Sequence, residues 1–278
     1  IPALVVMLAL TSRAPEATSS WIIGIFILLG VIITLFSTAG LDQARQEPSS
    51  PSKSLGSYIS ELKLVITDQP FLWLLASYMT ATIGLTLNST LALYYYKFYL
   101  KLDDPTIRGI IAFFMIIFCL AIPLWIWASK YLSKGKILIG NVTALGIMTI
   151  LRYPNFPVGA ISWPLAAGLF GGVFVASVVL MDVAVANLAD RQAKKEQKSD
   201  SNFGLYFGFW KMSSKFSRAA ALILTGNALA WIGFTPGKTP SQDTSFSIAL
   251  LFGPGVGIFL LAAVALIYIG HKKGIVYE

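Results

Sequence analysis

The chain has 278 residues, of which 56% are hydrophobic and only 12% are charged, and its formal net charge is +8. Soluble domains contain about 25% charged residues, so this composition excludes an ordinary water-soluble globular domain. The single cysteine, Cys119, excludes a disulfide and a thiolate metal site built from this chain. The single histidine, His271, follows the last apolar run, which disfavours a zinc site or a histidine-based triad inside the membrane.

Long apolar runs follow one another along the chain. A helix that crosses a bilayer needs about 20 mostly apolar residues. Seven runs meet or approach this length: 19–40, 69–93, 108–128, 137–151, 158–188, 203–234 and 245–270. An eighth, at 1–10, is too short to span alone. Because the first residue falls in mid-run without a signal-peptide pattern, we expect a fragment that begins inside a transmembrane helix. The pattern predicts an all-α, polytopic membrane protein.

The longest polar connection divides these runs into two groups. Residues 41–68 begin with a stretch rich in Pro and Ser, "QEPSSPSKS", which is typical of a linker. We therefore expect residues 1–40 to end one helical bundle, with a partial helix and one span. Residues 69–278 are then expected to form a second bundle of six helices.

Basic residues are distributed unevenly between the connections. The connections 41–68, 129–136 and 189–202, together with the C-terminal tail, hold roughly twice as many Lys and Arg residues as the connections on the other side. The positive-inside rule predicts that this richer side is cytoplasmic. The net positive charge then reflects membrane orientation, and no nucleic-acid partner is expected.

The run at 203–234 contains cations at helical spacing. In "GLYFGFWKMSSKFSRAAALIL", Lys211, Lys215 and Arg218 are spaced i, i+4 and i+7 and share one helix face. If this helix enters at residue 203, Lys211 lies about 12 Å deep and Lys215 about 18 Å deep. Asp182 of the preceding run lies about 9 Å from the same side, so it is expected to approach one of these lysines.

Charged side chains at a bilayer centre cost about 2.5–3.5 kcal/mol each on insertion scales, so they rarely persist without a role. This group therefore favours a water-filled or solute-filled cavity along the helix face. The alternative is a structural ion pair, with the outer cations reaching the lipid headgroups.

Two other polar residues, Asn88 and Tyr95, can each be interpreted in two ways. Asn88 lies in mid-span and could bond either a neighbouring helix or a solute. Tyr95, in "LYYYKFYL", belongs either to an interfacial aromatic belt or to a solute-facing surface. Three Gly-xxx-Gly pairs, at 168/172, 204/208 and 253/257, are typical of close helix packing. The phosphate-binding, nucleophile-elbow and zinc-protease motifs are absent from the sequence, so no enzyme is expected.

Three stretches resemble one transporter family. They are "TDQPFLWLLASYMTATIGLTLNSTLALYYYKFYL" at 67–100, "LMDVAVANLADRQ" at 180–192 and "GLYFGFWKMSSKF" at 204–216. They resemble the segment that enters helix seven, the end of helix ten and the helix-eleven motif of the glycoside–pentoside–hexuronide:cation symporters, within the major facilitator superfamily. The resemblance covers about residues 60–270 and implies the C-terminal six-helix half of that fold.

The resemblance also implies roles for individual residues. Lys215 matches the helix-eleven lysine near the cation and sugar sites, and Asp182 matches the helix-ten acid. Trp210 and Lys211 fall at the sugar pocket. The chain departs from the family at Val185, where a second acid is frequent, and at Lys211, which is usually an uncharged position.

The expected function is cation-coupled symport of a sugar-like solute by alternating access. The expected partners are a small organic solute, the lipid bilayer, an N-terminal half of the same protein, and a coupling Na⁺ or H⁺ whose main site lies in that half. Two alternatives remain open on the same fold, namely a membrane scaffold or assembly factor that does not transport, and a lysolipid-type carrier.

Overall fold

The structure is a computed structural model that describes residues 25, 28–33, 35, 36, 63, 65–196 and 203–272. Regular secondary structure in these residues is entirely helical. The prediction of an all-α polytopic fold is therefore confirmed. The short run 1–10, most of the run 19–40, nearly all of the linker 41–68, the end of the loop 189–202 and the tail after residue 272 lie outside the described residues.

From Gln69 onward the described chain forms eight α-helices. They are α1 (Gln69–Tyr94), α2 (Asp104–Ala128), α3 (Lys134–Arg152), α4 (Ser162–Ala176), α5 (Val179–Glu196), α6 (Phe203–Trp231), α7 (Gln242–Leu250) and α8 (Val256–Lys272). Two of them begin at serine caps, because the Oγ atoms of Ser133 and Ser241 accept hydrogen bonds from the backbone N–H groups of Lys136 and Thr244. Such caps satisfy N–H groups that the helix itself leaves unpaired.

Three of the apolar stretches contain an interruption. A π-helix, Tyr95–Tyr99, continues α1, and a second one, Leu251–Gly255, joins α7 to α8. The run predicted as continuous at 158–188 is instead divided into α4 and α5. At this division the N–H of Ser177 donates to Phe174 and that of Val178 to Val175, which are i→i−3 bonds in place of the α-helical ones.

Five helical stretches in the described residues are long and apolar enough to cross a membrane. They are Gln69–Tyr99, Asp104–Ala128, Lys134–Asn155, Ser162–Arg191 and Gln242–Gly270. The helix α6 has 29 residues and is long enough as well. It is not among the five because its three cations lower its hydropathy. The span predicted at 203–234 is thus a helix of spanning length, but it is less apolar than expected.

Successive stretches run in alternating directions. The helix α1 packs antiparallel to α8, since Ser77 bonds Ala263 and Gly84 faces Leu260. It packs parallel to α6, since Phe71 contacts Tyr206 and Tyr78 contacts Trp210 farther along both helices.

The helix ends collect in two buried clusters, one at each end of the bundle. The linker-end cluster contains Val65, Phe71, Leu138, Val185, Tyr206 and Ile267. The aromatic-end cluster contains Tyr95, Ile110, Tyr153, Phe156, Ile248 and Phe252. The ends of the stretches therefore alternate between two sides, as the sequence predicted.

Candidate functional site

One carboxylate oxygen of Asp182 joins α5 to α6. Trp210 donates its indole N–H to Asp182 Oδ1 at 2.6 Å, and the Lys211 ammonium lies 3.3 Å from the same oxygen. The lysine and aspartate side chains remain 58% and 48% exposed, respectively. The predicted approach of Asp182 to a lysine of α6 is therefore observed, with Lys211 as the partner.

Trp210 is held in place by aromatic packing against α1. Its side chain is buried, and its ring stacks on Tyr78 with centroids 3.7 Å apart and planes 14° from parallel. One turn earlier on α6, Tyr206 donates its hydroxyl hydrogen bond to Asp68 at 2.6 Å. These contacts pack the Tyr206 and Trp210 side of α6 against α1. The neighbouring face of the helix therefore does not contact α1.

That neighbouring face carries the cations, and we call Lys211, Lys215 and Arg218 the cationic face of α6. All three side chains are exposed. Among the described residues, no ion-pair partner lies within reach of Lys215 or Arg218. The face continues through Gly204 and Gly208, where a Cβ atom would meet no heavy atom within 4 Å. The packing role predicted for this glycine pair is therefore not observed within the described part of the chain.

The break between α4 and α5 places Asp182 in the first turn of α5. A carboxylate is favourable there because the helix dipole is positive at its N-terminus. The break also frees a carbonyl: Ser177 N–H bonds Phe174, and Val173 O accepts the indole N–H of Trp125 at 2.7 Å instead. Neither the break nor the stack of Trp210 on Tyr78 was predicted from the sequence. The polar residue Ser177, in the middle of an apolar run, was the one signal of the break.

Two predicted site residues do not join this group. Asn88 lies ten residues after Tyr78 on α1, about 15 Å farther along the helix axis, and is half-buried. Tyr95 belongs to the aromatic-end cluster, about 25 Å along α1 from Tyr78. Its side chain is fully buried, and its hydroxyl donates to Tyr153 O at 2.7 Å.

The described residues contain no group of three or more His, Cys, Asp and Glu side chains that could hold a metal ion. Asp182 instead has two donors on its Oδ1 atom, of which Lys211 supplies a compensating charge and Trp210 a neutral N–H group. A free cation would have to compete with Lys211 for this carboxylate.

The chain is similar to one known family along nearly its whole length. No curated protein matches it. A model of the MFS/sugar transport protein family matches residues 1–270. With its apolar helices, this match identifies an integral, multi-pass membrane transporter. The narrower resemblance to the glycoside–pentoside–hexuronide:cation symporters stays a prediction. The chain belongs to the MFS/sugar transport protein family.

Proposed function

We propose that this protein is a cation-coupled symporter of a sugar-like solute, and that the solute and ion path runs along the cationic face of α6. The observation that carries the proposal is the single Asp182 oxygen shared by Trp210 and Lys211. Beside it, Lys215 and Arg218 have no acidic partner among the described residues. An unpaired charge in lipid costs about 2.5–3.5 kcal/mol, so this face requires water or a polar solute.

The group on α5 and α6 offers contacts of the kind that sugars use. The exposed ammonium of Lys211 donates hydrogen bonds, and Asp182 offers its second oxygen as an acceptor. Trp210 is buried against Tyr78 and holds the Asp182 carboxylate in position. In major-facilitator folds two six-helix halves rock about a site near the midplane. We assign residues 69–278 to the C-terminal half, with the N-terminal half forming the other wall of the path.

Lys215 is the residue that we assign to coupling. Three residues separate it from Lys211, which places it about 6 Å deeper along the helix axis. As a fixed positive charge it pairs with a carboxylate of the N-terminal half, and the coupling Na⁺ or H⁺ competes for that carboxylate. The lysine-paired and cation-bound states then favour different orientations of the two halves.

Replacement of Lys215 tests the proposal. Lys215→Ala is expected to abolish accumulation driven by an imposed Na⁺ or H⁺ gradient, because the competition for the carboxylate is lost. Lys215→Arg is expected to fail too, since a planar guanidinium does not reproduce a compact ammonium. The measurement is uptake of a labelled α-galactoside, a pentoside and a hexuronide into sealed vesicles that contain the full-length protein with both halves.

Lys238→Ala is the matched control, because Lys238 is an exposed lysine in the connection between α6 and α7. It should transport like the unmodified protein at equal membrane expression. Normal accumulation by Lys215→Ala would overturn the coupling mechanism and favour a scaffold on the same fold. Equal loss in Lys238→Ala would show that the effect is not specific to the cationic face.

A further inference from the structure

A groove between α3 and α4 lies outside the site described above. Its volume is about 350 Å³. Its lining consists of Met148, Arg152, Phe156, Trp163, Ala166, Ala167, Phe170 and Phe174. No residue of α6 takes part, so the groove is separate from the cationic face.

The helix α4 supplies one continuous wall of the groove. Trp163, Ala166, Phe170 and Phe174 follow the i, i+3, i+7 and i+11 spacing of one helix face. Ala166 leaves a recess between the Trp163 and Phe170 side chains of this face. The ring of Phe156 lies 5.7 Å from that of Trp163, tilted by 41°, and Phe170 stacks near Phe174 at 6.3 Å. The result is an apolar channel along the helix axis.

The length of this channel matches one leaflet of a bilayer. From Trp163 to Phe174 the helix rises about 16 Å, which is close to half of a hydrocarbon core of about 30 Å. Trp163 lies in the first turn of the span Ser162–Arg191, where a tryptophan is favoured at headgroup level. Trp163 and Phe170 remain 42% and 51% exposed, so the groove is open along its side.

A single charge lies at the headgroup end of the channel. Arg152 occupies the last turn of α3 and is the one charged residue in the lining. Within the described residues its guanidinium has no acidic partner. Guanidinium groups bind phosphate oxygens through two parallel hydrogen bonds. An anionic headgroup therefore complements Arg152, while an acyl chain complements the apolar channel.

We propose that the α3–α4 groove binds an anionic phospholipid, with one acyl chain along Trp163–Phe174 and the headgroup phosphate on Arg152. A soluble anion alone would leave the aromatic channel unfilled. A zwitterionic lipid such as phosphatidylcholine also has a phosphate, but its own ammonium group compensates that charge, so the charge of Arg152 is left without a net counter-charge. Only an anionic lipid satisfies both ends of the groove.

Native mass spectrometry of the purified protein tests this assignment. Phosphatidylglycerol and phosphatidylcholine with identical acyl chains are added in detergent. One arginine near the membrane surface favours an anionic lipid by about fivefold. The amount of phosphatidylglycerol that stays bound is therefore expected to be about five times that of phosphatidylcholine. Arg152→Gln should remove the preference. Arg108→Gln is the matched control, because Arg108 is an exposed arginine near the start of α2 and outside the groove.

Two further measurements test the channel itself. A phosphatidylglycerol with a photoreactive group in its acyl chain should label the segment 163–174 of the unmodified protein, and Ala166→Phe should reduce that label by filling the recess. Glycerol phosphate, which has the headgroup charge but no acyl chain, should not displace the lipid. Equal retention of both lipids, equal loss in Arg108→Gln, displacement by glycerol phosphate, or labelling only outside 163–174 would overturn the proposal.

Discussion

At the residue scale, Asp182 binds two side chains, Trp210 and Lys211, which differ in their exposure to water. The indole N–H of Trp210 belongs to a buried side chain, while the ammonium of Lys211 is more than half exposed. A buried donor without a partner costs about 1–3 kcal/mol. An exposed ion pair contributes about 0–1 kcal/mol. The Trp210 bond is therefore expected to contribute more to stability, and the Lys211 pair to contribute more to the chemistry of the site.

Substitutions at Asp182 separate these two contributions. Asp182→Ala removes the hydrogen bond to Trp210 and the ion pair with Lys211. It is expected to destabilise the protein by about 1–3 kcal/mol, because the buried Trp210 is left with an unpaired N–H. Asp182→Asn retains an acceptor for Trp210 and should stay within about 1 kcal/mol of the unmodified protein. Thermal unfolding of the purified protein in detergent measures the order. Lys211→Gln serves as the control for loss of the ion pair alone. An Asp182→Asn protein as unstable as Asp182→Ala would contradict this division.

The approach of Asp182 to Lys211 could be predicted from the sequence, because the rise per residue of a helix gives the depth of each side chain in the membrane. The contact of Trp210 with Tyr78 of α1 could not be predicted in this way. Whether Trp210 turns its ring toward Tyr78 depends on the rotation of α6 about its axis, which the contact between Phe71 and Tyr206 helps to set. The burial of Tyr95 likewise depends on α7 and the π-helix before α8, which bring Phe252 against its ring.

At the scale of helices, glycine decides how closely α3 and α8 approach. A Cβ atom on Gly257 would lie 2.9 Å from the backbone oxygen of Gly146 and would also overlap the Ile150 side chain. A Cβ atom on Gly253 would lie 2.9 Å from Pro154. The packing predicted for the pair 253/257 is therefore confirmed, and Gly172 shows a similar approach to Ile117. The pair 204/208 has the same spacing, but in the described part of the chain no atom lies as close to it.

Replacement of Gly257 and of Gly208 by alanine should affect stability differently. Gly257→Ala is expected to destabilise the protein by about 1–3 kcal/mol, since backbone on α3 cannot yield as a flexible side chain would. Gly208→Ala should be neutral or stabilising by up to about 1 kcal/mol, because the site is open and alanine favours the helix. Apparent melting temperatures of the two variants in one detergent provide the comparison. Equal destabilisation by both would show that the 204/208 face is packed as tightly as α8.

The interruptions of the helices were only partly predictable. Pro254 lies inside the apolar run 245–270 and removes a backbone N–H, so a distortion is predictable there; it falls in the π-helix Leu251–Gly255. The break at Ser177 contains no proline or glycine. The Val173 carbonyl that the break leaves without its helical partner accepts the indole N–H of Trp125 of α2, which is a tertiary contact. Local propensity carries no information about such a partner.

At the scale of the whole molecule, the connections that are rich in basic residues lie at one end of the bundle, and those with fewer basic residues lie at the other. The connection 129–136 lies at the linker end of the bundle, and the connection between α6 and α7 lies at the aromatic end. The alternation follows from the order of apolar runs, so the sequence could predict it. The low hydropathy of α6 reflects Lys211, Lys215 and Arg218, whose charges are costly in lipid and would be hydrated by the proposed path.

Labelling of introduced cysteines tests which end faces the cytoplasm. In a Cys119→Ser background, Tyr131→Cys reports the linker end and Thr239→Cys reports the aromatic end, since both native side chains are exposed. The positive-inside rule predicts that the basic linker end is cytoplasmic. A membrane-impermeant maleimide should therefore label Thr239→Cys in intact cells, and Tyr131→Cys only after the membrane is permeabilised. The background protein without cysteine gives the level of nonspecific labelling. The reverse pattern would place Lys211 and Asp182 near the outer face, and the entrance to the proposed path would then open to the outside.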